Sequence, residues 1–212
     1  MIFLIHIIIF SVLSYLTGSI NPAIILSKKI YGTDIRTVGS KNAGASNTVR
    51  NYGIKAGAAV FILDFAKGLL AVTAAKTAVE YFGAPYITVL ASGFFVQVGH
   101  TFPVFYKYKG GKGVATAAGA AMGIMPLTAT VLLLCFAAIL LITKTVALAS
   151  GICAAGYPLL AYFFSVENKN LNFIFAASCA IVIALKHSSN FIRLINGEEE
   201  KIRFGKRRNN SD

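Results

Sequence analysis

Apolar runs long enough to cross a lipid bilayer recur from one end of this chain to the other, near residues 2–26, 54–78, 84–105, 113–142, 146–164 and 171–186. Most have the roughly 17–25 residues that a helical crossing needs. Inside hydrocarbon every backbone N–H and C=O must find a partner within the chain, so spans of this length are expected to be helices. Only 13% of the 212 residues are charged, about half the share of a soluble domain. The expected fold is an all-α integral membrane protein, a polytopic helical bundle, with residues 1–197 as one membrane domain. The stretch 198–212 reads as a short, loosely held charged tail. The opening MIFLIHIIIFSVLSYL has no basic flank and no clear small-residue cleavage site, so it reads as a retained first span. No internal repeat is evident, which counts against inverted-repeat transporter folds.

Charge sets the expected topology. The chain has 20 Lys+Arg against 8 Asp+Glu, a formal net charge of +12. These basic residues sit between apolar spans, which suits the positive-inside rule and anionic ligands and argues against nucleic acid as a partner. Loop 27–53 holds Lys28, Lys29, Arg36, Lys41 and Arg50, and loop 106–112 holds Lys107, Lys109 and Lys112. Lys144 follows in the next break, and the tail holds Arg193, Lys201, Arg203, Lys206, Arg207 and Arg208. Loops 79–83 and 165–170 are close to neutral. The run 113–142 is too long for one comfortable crossing and contains Pro126. Counted as two crossings, it puts every basic loop on one side. The expectation is therefore seven transmembrane helices, with the N-terminus periplasmic or extracellular and the C-terminus cytoplasmic.

Three polar clusters fall on that cytoplasmic side. Gly39–Arg50, GSKNAGASNTVR, supplies hydroxyls, side-chain amides, flexible backbone and fixed positive charge, a mixture suited to phosphate. Its candidate phosphate ligands are Asn42, Gly44, Asn47 and Arg50. Read one at a time, its Ser and Asn residues are ordinary helix caps. In the second cluster, Gly110, Gly111, Lys112 and Gly113 are expected to expose amides at a helix N-terminus, where anions bind. It is no Walker A loop, because no Gly lies five positions before Gly111 and no Ser or Thr follows Lys112. Lys186–Asn196 is the third, and there His187, Asn190 and Arg193 share a face if the helix continues. Together Ser40, Arg50, Lys112, His187 and Asn190 are expected to line one mouth able to hold two phosphates.

Other titratable groups read differently. Asp64 and Lys67 lie three apart within a span and are expected to neutralise each other as a structural or supporting pair. His100, at a span's end, reads as a satisfied interfacial histidine, with a structural or supporting role that Arg193 is expected to share. Gly18-Ser19-Ile20-Asn21-Pro22 is expected to break the first span. Cys135, Cys153 and Cys179 each lie in an apolar run and read as small hydrophobes rather than disulfides or metal ligands. No metal or cofactor is expected.

At these residues the chain resembles the bacterial acyl-phosphate:glycerol-3-phosphate acyltransferases, the PlsY family. The match runs nearly the full length through GSINPA, DIRTVGSKNAGASNTVR, LDFAKG, GHTFPVFYKYKGGKGVAT and HSSNFIRLINGEEEKI. The resemblance implies transfer of a fatty acyl group from acyl phosphate to the 1-hydroxyl of glycerol 3-phosphate, giving lysophosphatidic acid and phosphate. It also implies a multi-pass protein of the bacterial cytoplasmic (inner) membrane, with a cytoplasm-facing site. The implied partners are the two substrates, the bilayer and the soluble enzyme that makes acyl phosphate. The family's functional Ser and Arg match Ser40 and Arg50, its glycine-flanked lysine matches Lys112, and its late His and Asn match His187 and Asn190. Lys41 stands where Gly is frequent, Ser46 where Thr is common, and Ser188-Ser189 where an Arg-Glu pair is frequent.

Acyl phosphate is a mixed anhydride with a good leaving group, so positioning and charge neutralisation are the expected tasks of the protein. Arg50, Lys112 and glycine amides would hold phosphates. Ser40, Asn190 and His187 would orient the attacking hydroxyl and polarise the carbonyl. Either His187 or a substrate phosphate is the base, and a covalent Ser40 intermediate is disfavoured by the lack of a base–carboxylate relay. The His-x4-Asp pattern of acyl-CoA acyltransferases is absent, since Ser11, Phe105 and Ile192 stand five residues after the three histidines. The alternative class is a transporter for a phosphorylated metabolite.

Overall fold

The structure, a computed structural model, describes residues 2–202. The rest of the charged tail, including Arg203, Lys206, Arg207 and Arg208, lies outside the described residues. Ten α-helices follow in order: α1 Ile2–Ser19, α2 Pro22–Tyr31, α3 Ala45–Tyr52, α4 Ile54–Phe82, α5 Ile87–Thr101, α6 Val114–Ile124, α7 Pro126–Thr143, α8 Val146–Phe164, α9 Lys169–Lys186 and α10 Ser188–Ile195. Among the described residues six segments are long and apolar enough to cross a membrane, the first being α1 and α2 taken together. Helix α6 is apolar but has only 11 residues, about 16 Å at the usual rise.

Proline chemistry places two breaks. The run 113–142 is two helices, with Met125 out of helical geometry at ψ 75° and Pro126 as the first residue of α7. Proline has no N–H to give and disfavours helix in the residue before it, but fits a helix's first turn. The break between α1 and α2 works the same way. Pro22 opens α2, and the Asn21 side chain accepts from the Ile24 N–H at 3.1 Å.

Small residues let the helices approach closely. A Cβ on Gly68 of α4 would lie 2.2 Å from the Thr116 carbonyl oxygen of α6, and one on Gly119 of α6 would lie 1.9 Å from the Phe65 carbonyl oxygen of α4. Backbone contact of this kind is how helices associate where no hydrophobic effect drives them together. The larger apolar side chains turn outward instead. Phe3, Leu4 and Ile8 of α1 and Leu134, Leu141 and Ile142 of α7 are exposed, which is the surface that lipid covers.

The loops gather at two ends. At one, Arg36 donates to the Tyr106 carbonyl at 2.9 Å, Arg50 meets Glu200, and the Ile202 N–H donates to the Lys144 carbonyl at 2.8 Å. The loops carrying the basic residues thus meet one another. At the other end Tyr86 donates to Asn172 at 2.8 Å, and a cavity joins Tyr86 with the Met125–Pro126 turn and Ser165–Asn168.

Candidate active site

The site rests on a buried charged hub. Lys67 of α4 donates to the Gly18 and Ile20 carbonyls at 3.0 and 2.9 Å, the two acceptors freed where α1 breaks. Its ammonium lies 2.7 Å from Asp64 Oδ1 and 2.9 Å from His100 Nδ1, and that same Nδ1 lies 3.1 Å from Asp64. All three side chains are buried. A charge so far from water must be matched locally, and here a carboxylate, a ring nitrogen and two helix-end carbonyls do so. The hub ties α1, α4 and α5 together beneath the polar end. His100, expected as an interfacial histidine in a structural or supporting role, is part of it.

Above the hub lies the Gly39–Arg50 loop, organised by Asn47. The Asn47 amide nitrogen donates to the Ile35, Val38 and Asn42 carbonyls at 3.1 Å each, and its oxygen accepts from the Ser40 N–H at 3.0 Å and from Asn51 at 2.9 Å. Asn47 was expected among the phosphate ligands. Its donors are committed to the loop, where they hold Ser40 and Asn42 in place, and Asn47 also lines the cavity that the other candidates share. Asn21 fastens the loop to the α1–α2 break by donating to the Ala43 carbonyl at 3.2 Å. Asp34 spends its carboxylate on Lys28 and Arg36. The Arg36 hydrogen bonds hold that carboxyl well below the usual carboxylate range, against the opposing effect of burial.

The second loop departs from expectation in one respect. Gly110 and Gly111 do not line the cavity. They pack on His100, where a Cβ on Gly110 would sit 2.1 Å from the His100 carbonyl oxygen and one on Gly111 2.1 Å from its Nε2. The Gly111 N–H donates to the His100 carbonyl at 3.1 Å. These glycines therefore permit close packing rather than offer amides to an anion. Lys112 and Gly113 do face the cavity, and α6 starts directly after them.

At the third cluster the helix turns sharply. His187, at φ −102° and ψ 2°, separates α9 from α10. Its Nδ1 lies 2.9 Å from the Ile183 carbonyl and its ring stacks on Phe191. In the neutral ring Nδ1 donates there, which leaves Nε2 as the acceptor. Asn190 accepts from Lys112 and donates to Glu199 at 2.7 Å, and Glu199 takes Arg193 at 3.0 Å. Burial pulls the Lys112 ammonium down to about 8, with Arg193 and Arg50 adding to that and Glu199 opposing it. Burial, helped by Lys112, holds the His187 imidazole down to about 4.

Glu199, Glu200 and Ile202 were missed by the sequence reading, which took 198–202 as part of a loose tail. The segment instead packs across the site, with Ile202 buried and Glu200 on Arg50. The available signal was three consecutive glutamates in an otherwise basic tail.

One cavity of about 450 Å³ joins these parts. Ser40, Arg50, Lys112, His187 and Asn190 all line it, with Asn42, Gly44 and Gly113 beside them. The N-termini of α3 and α6 open onto it through Ala45, Ser46, Val114 and Ala115. Unpaired N–H groups at such ends attract anions. Deeper along α4 and α7 the wall is apolar, formed by Phe61, Ile62 and Phe136. A second, apolar cavity of about 60 Å³ shares Phe61, Val114, Phe136 and Ser150 with the first. Among the described residues no group of three or more His, Cys, Asp or Glu is placed to hold a metal.

The family profile described as glycerol-3-phosphate acyltransferase matches residues 8–197. A glycerol-3-phosphate acyltransferase of Finegoldia magna is 37% identical over 197 residues, covering 93% of this chain and 96% of the relative. One from Neisseria gonorrhoeae is 40% identical over 190 residues, covering 89% and 94%. The crystal structure of PlsY (YgiH), an integral membrane glycerol 3-phosphate acyltransferase, in its glycerol 3-phosphate form, superposes with a TM-score of 0.84 at 33% identity. That match covers 93% of this chain and 96% of that one.

Proposed function

This chain belongs to the glycerol-3-phosphate acyltransferase family, and we propose that it moves a fatty acyl group from acyl phosphate to the 1-hydroxyl of glycerol 3-phosphate, releasing lysophosphatidic acid and inorganic phosphate. The observation that carries this reading is the single cavity. It is cationic and amide-lined at its mouth and apolar beyond. Two phosphate-bearing molecules, one with an acyl chain, need such a division.

The two cations take separate parts. Arg50, on α3, offers a planar fork for two oxygens of one phosphate, and Lys112, before α6, offers a point charge for another. Gly44 and Gly113 bring the two helix N-termini beside them. Ser40, His187 and Asn190 line the same cavity, where they would orient the hydroxyl and the carbonyl. A histidine held near 4 is a weak base, which favours a donor whose leaving group is already good. Acyl phosphate is such a donor. The base is His187 Nε2 or an oxygen of a substrate phosphate.

In the bilayer of the bacterial inner membrane, α6 counts as a short crossing, giving seven. The end bearing Lys28, Arg50, Lys112 and Lys144 then faces the cytoplasm, as the positive-inside rule favours. A reporter fused after Pro126 is expected outside; a cytoplasmic signal there sinks the seven-crossing arrangement.

Purified protein in proteoliposomes, given glycerol 3-phosphate and acyl phosphate, should form lysophosphatidate and release phosphate, with acyl-CoA inert in its place. Ser40→Ala and His187→Ala should each lose most of that turnover. Flux of intact glycerol 3-phosphate without product would make the protein a transporter, and near-normal turnover in both variants would discard these site assignments.

A further inference from the structure

We propose that Glu200 is an internal occupant of Arg50, one that a substrate phosphate must displace, so that it sets how tightly the enzyme holds that substrate. This rests on the reading of Arg50 as a phosphate ligand.

Both terminal nitrogens of the Arg50 guanidinium are spent on this one residue. One donates to the Glu200 carbonyl at 2.8 Å, and the other lies 3.2 Å from its carboxylate. Among the described residues the guanidinium Nε is buried with no partner. A buried N–H left unmet is costly, and Arg50 lines the cavity, so this donor points to an acceptor that arrives with a ligand. A carbonyl and a carboxylate offer the same kind of oxygen acceptors that a phosphate would bring to the fork.

The segment that delivers Glu200 is pinned on both sides of it. Before it, the Glu198 N–H donates to the Arg193 carbonyl at 2.8 Å, and the Glu199 carboxylate is held by Asn190 and Arg193. After it, Ile202 is buried in the cavity wall and its N–H donates to the Lys144 carbonyl. Between these anchors the Glu200 side chain stays 65% exposed. Water screens an ion pair so exposed, which makes it weak. Glu200 can therefore leave Arg50 while both anchors stay fastened. A phosphate carries nearly twice the charge of a carboxylate, so it wins the exchange, but against a competitor that is always present.

The test uses the full-length protein in proteoliposomes. Arg50→Lys keeps the charge and loses the fork, and it should raise one of the two substrate KM values, identifying the phosphate that Arg50 holds. Glu200→Gln keeps the side chain's shape and both anchors, and it should lower that same KM about two- to fivefold. It should strengthen inhibition by inorganic phosphate in parallel, with the change falling on KM rather than kcat. An unchanged or raised KM in Glu200→Gln, with Arg50→Lys behaving as stated, overturns the inference. Two unmoved KM values in Arg50→Lys overturn the phosphate reading of Arg50 and the inference with it.

Discussion

The ammonium of Lys112, just before α6, donates to the side-chain carbonyl of Asn190 on α10, joining segments 78 positions apart across the cavity. The other end of that amide is held by Glu199. Asn190 therefore aims a lysine whose own stem would leave it mobile. Lys112→Met should cost about 10²–10³ in kcat/KM, the scale of losing one aligned charge donor. Asn190→Ala should cost less. The double variant should lose little beyond Lys112→Met alone, because the two act as one unit. Full additivity in that kinetic cycle would separate them.

The pH profile should report both titrating groups at the mouth. kcat/KM reflects the free enzyme, so with Lys112 at about 8 activity should fall as pH rises through that value. Lys112→Arg should move the fall to higher pH. On the acid side, His187 at about 4 stays neutral through pH 6. If it is the base, activity should persist nearly to pH 4; a fall centred near 6 would assign the base to a substrate phosphate. Stability should move differently. His187 is held below its unfolded value, so the unfolded state takes up the extra proton between about pH 6.5 and 4, and stability falls on acidification through that window. Lys112 also sits below its unfolded value, so its contribution to stability rises from about pH 8 to 10.5. Thermal unfolding and turnover measured across the same pH series should therefore part above pH 8.

Asp64 is the carboxylate that matches the buried Lys67 ammonium, 2.7 Å away. Asp64→Asn removes that charge and leaves the buried ammonium with only neutral partners, the His100 ring nitrogen and the Gly18 and Ile20 carbonyls. Breaking a buried pair from one side costs about 3–5 kcal/mol, enough to unfold many domains. The double variant Asp64→Asn, Lys67→Met should recover part of that loss in detergent-solubilised thermal unfolding. If the double variant is worse than the single, the carbonyl contacts of Lys67 with the α1 break matter more than its charge pairing.

Much of this was legible in the sequence because it follows from local chemistry. Long apolar runs must be helices in lipid, Pro126 and Pro22 must sit at helix starts, and polar clusters on one side of a bilayer must meet. What was not legible depended on contacts between distant segments. The spacing of Asp64 and Lys67 suggested a pair but gave no sign of His100, which reaches them from α5. Asn47 looked like a phosphate donor until the three carbonyls it serves were in view. Gly110 and Gly111 looked like an anion nest because glycine serves both close packing and ligand approach, and only the position of His100 decides between them. The glutamates of 198–202 looked like a solvated tail because charge alone does not reveal a backbone anchor such as Ile202 on Lys144.

Lys41 gives a prediction that needs no catalytic reading. Its backbone sits at φ 57°, the left-handed region that a side chain disfavours. The turn is held there by the Lys41 N–H donating to the Val38 carbonyl at 3.0 Å, so relaxing the residue would cost that bond. Its side chain is exposed, and it is absent from the cavity lining. Lys41→Gly removes about 1–2 kcal/mol of conformational strain and adds back about 0.4–1 kcal/mol of unfolded-state entropy. The expected result is a net gain of about 0.5–1 kcal/mol in thermal unfolding, with the KM values unmoved. A raised KM would mean that the Lys41 charge attracts substrate from the membrane surface, and a lowered stability would mean that the side chain makes a contact worth more than the strain.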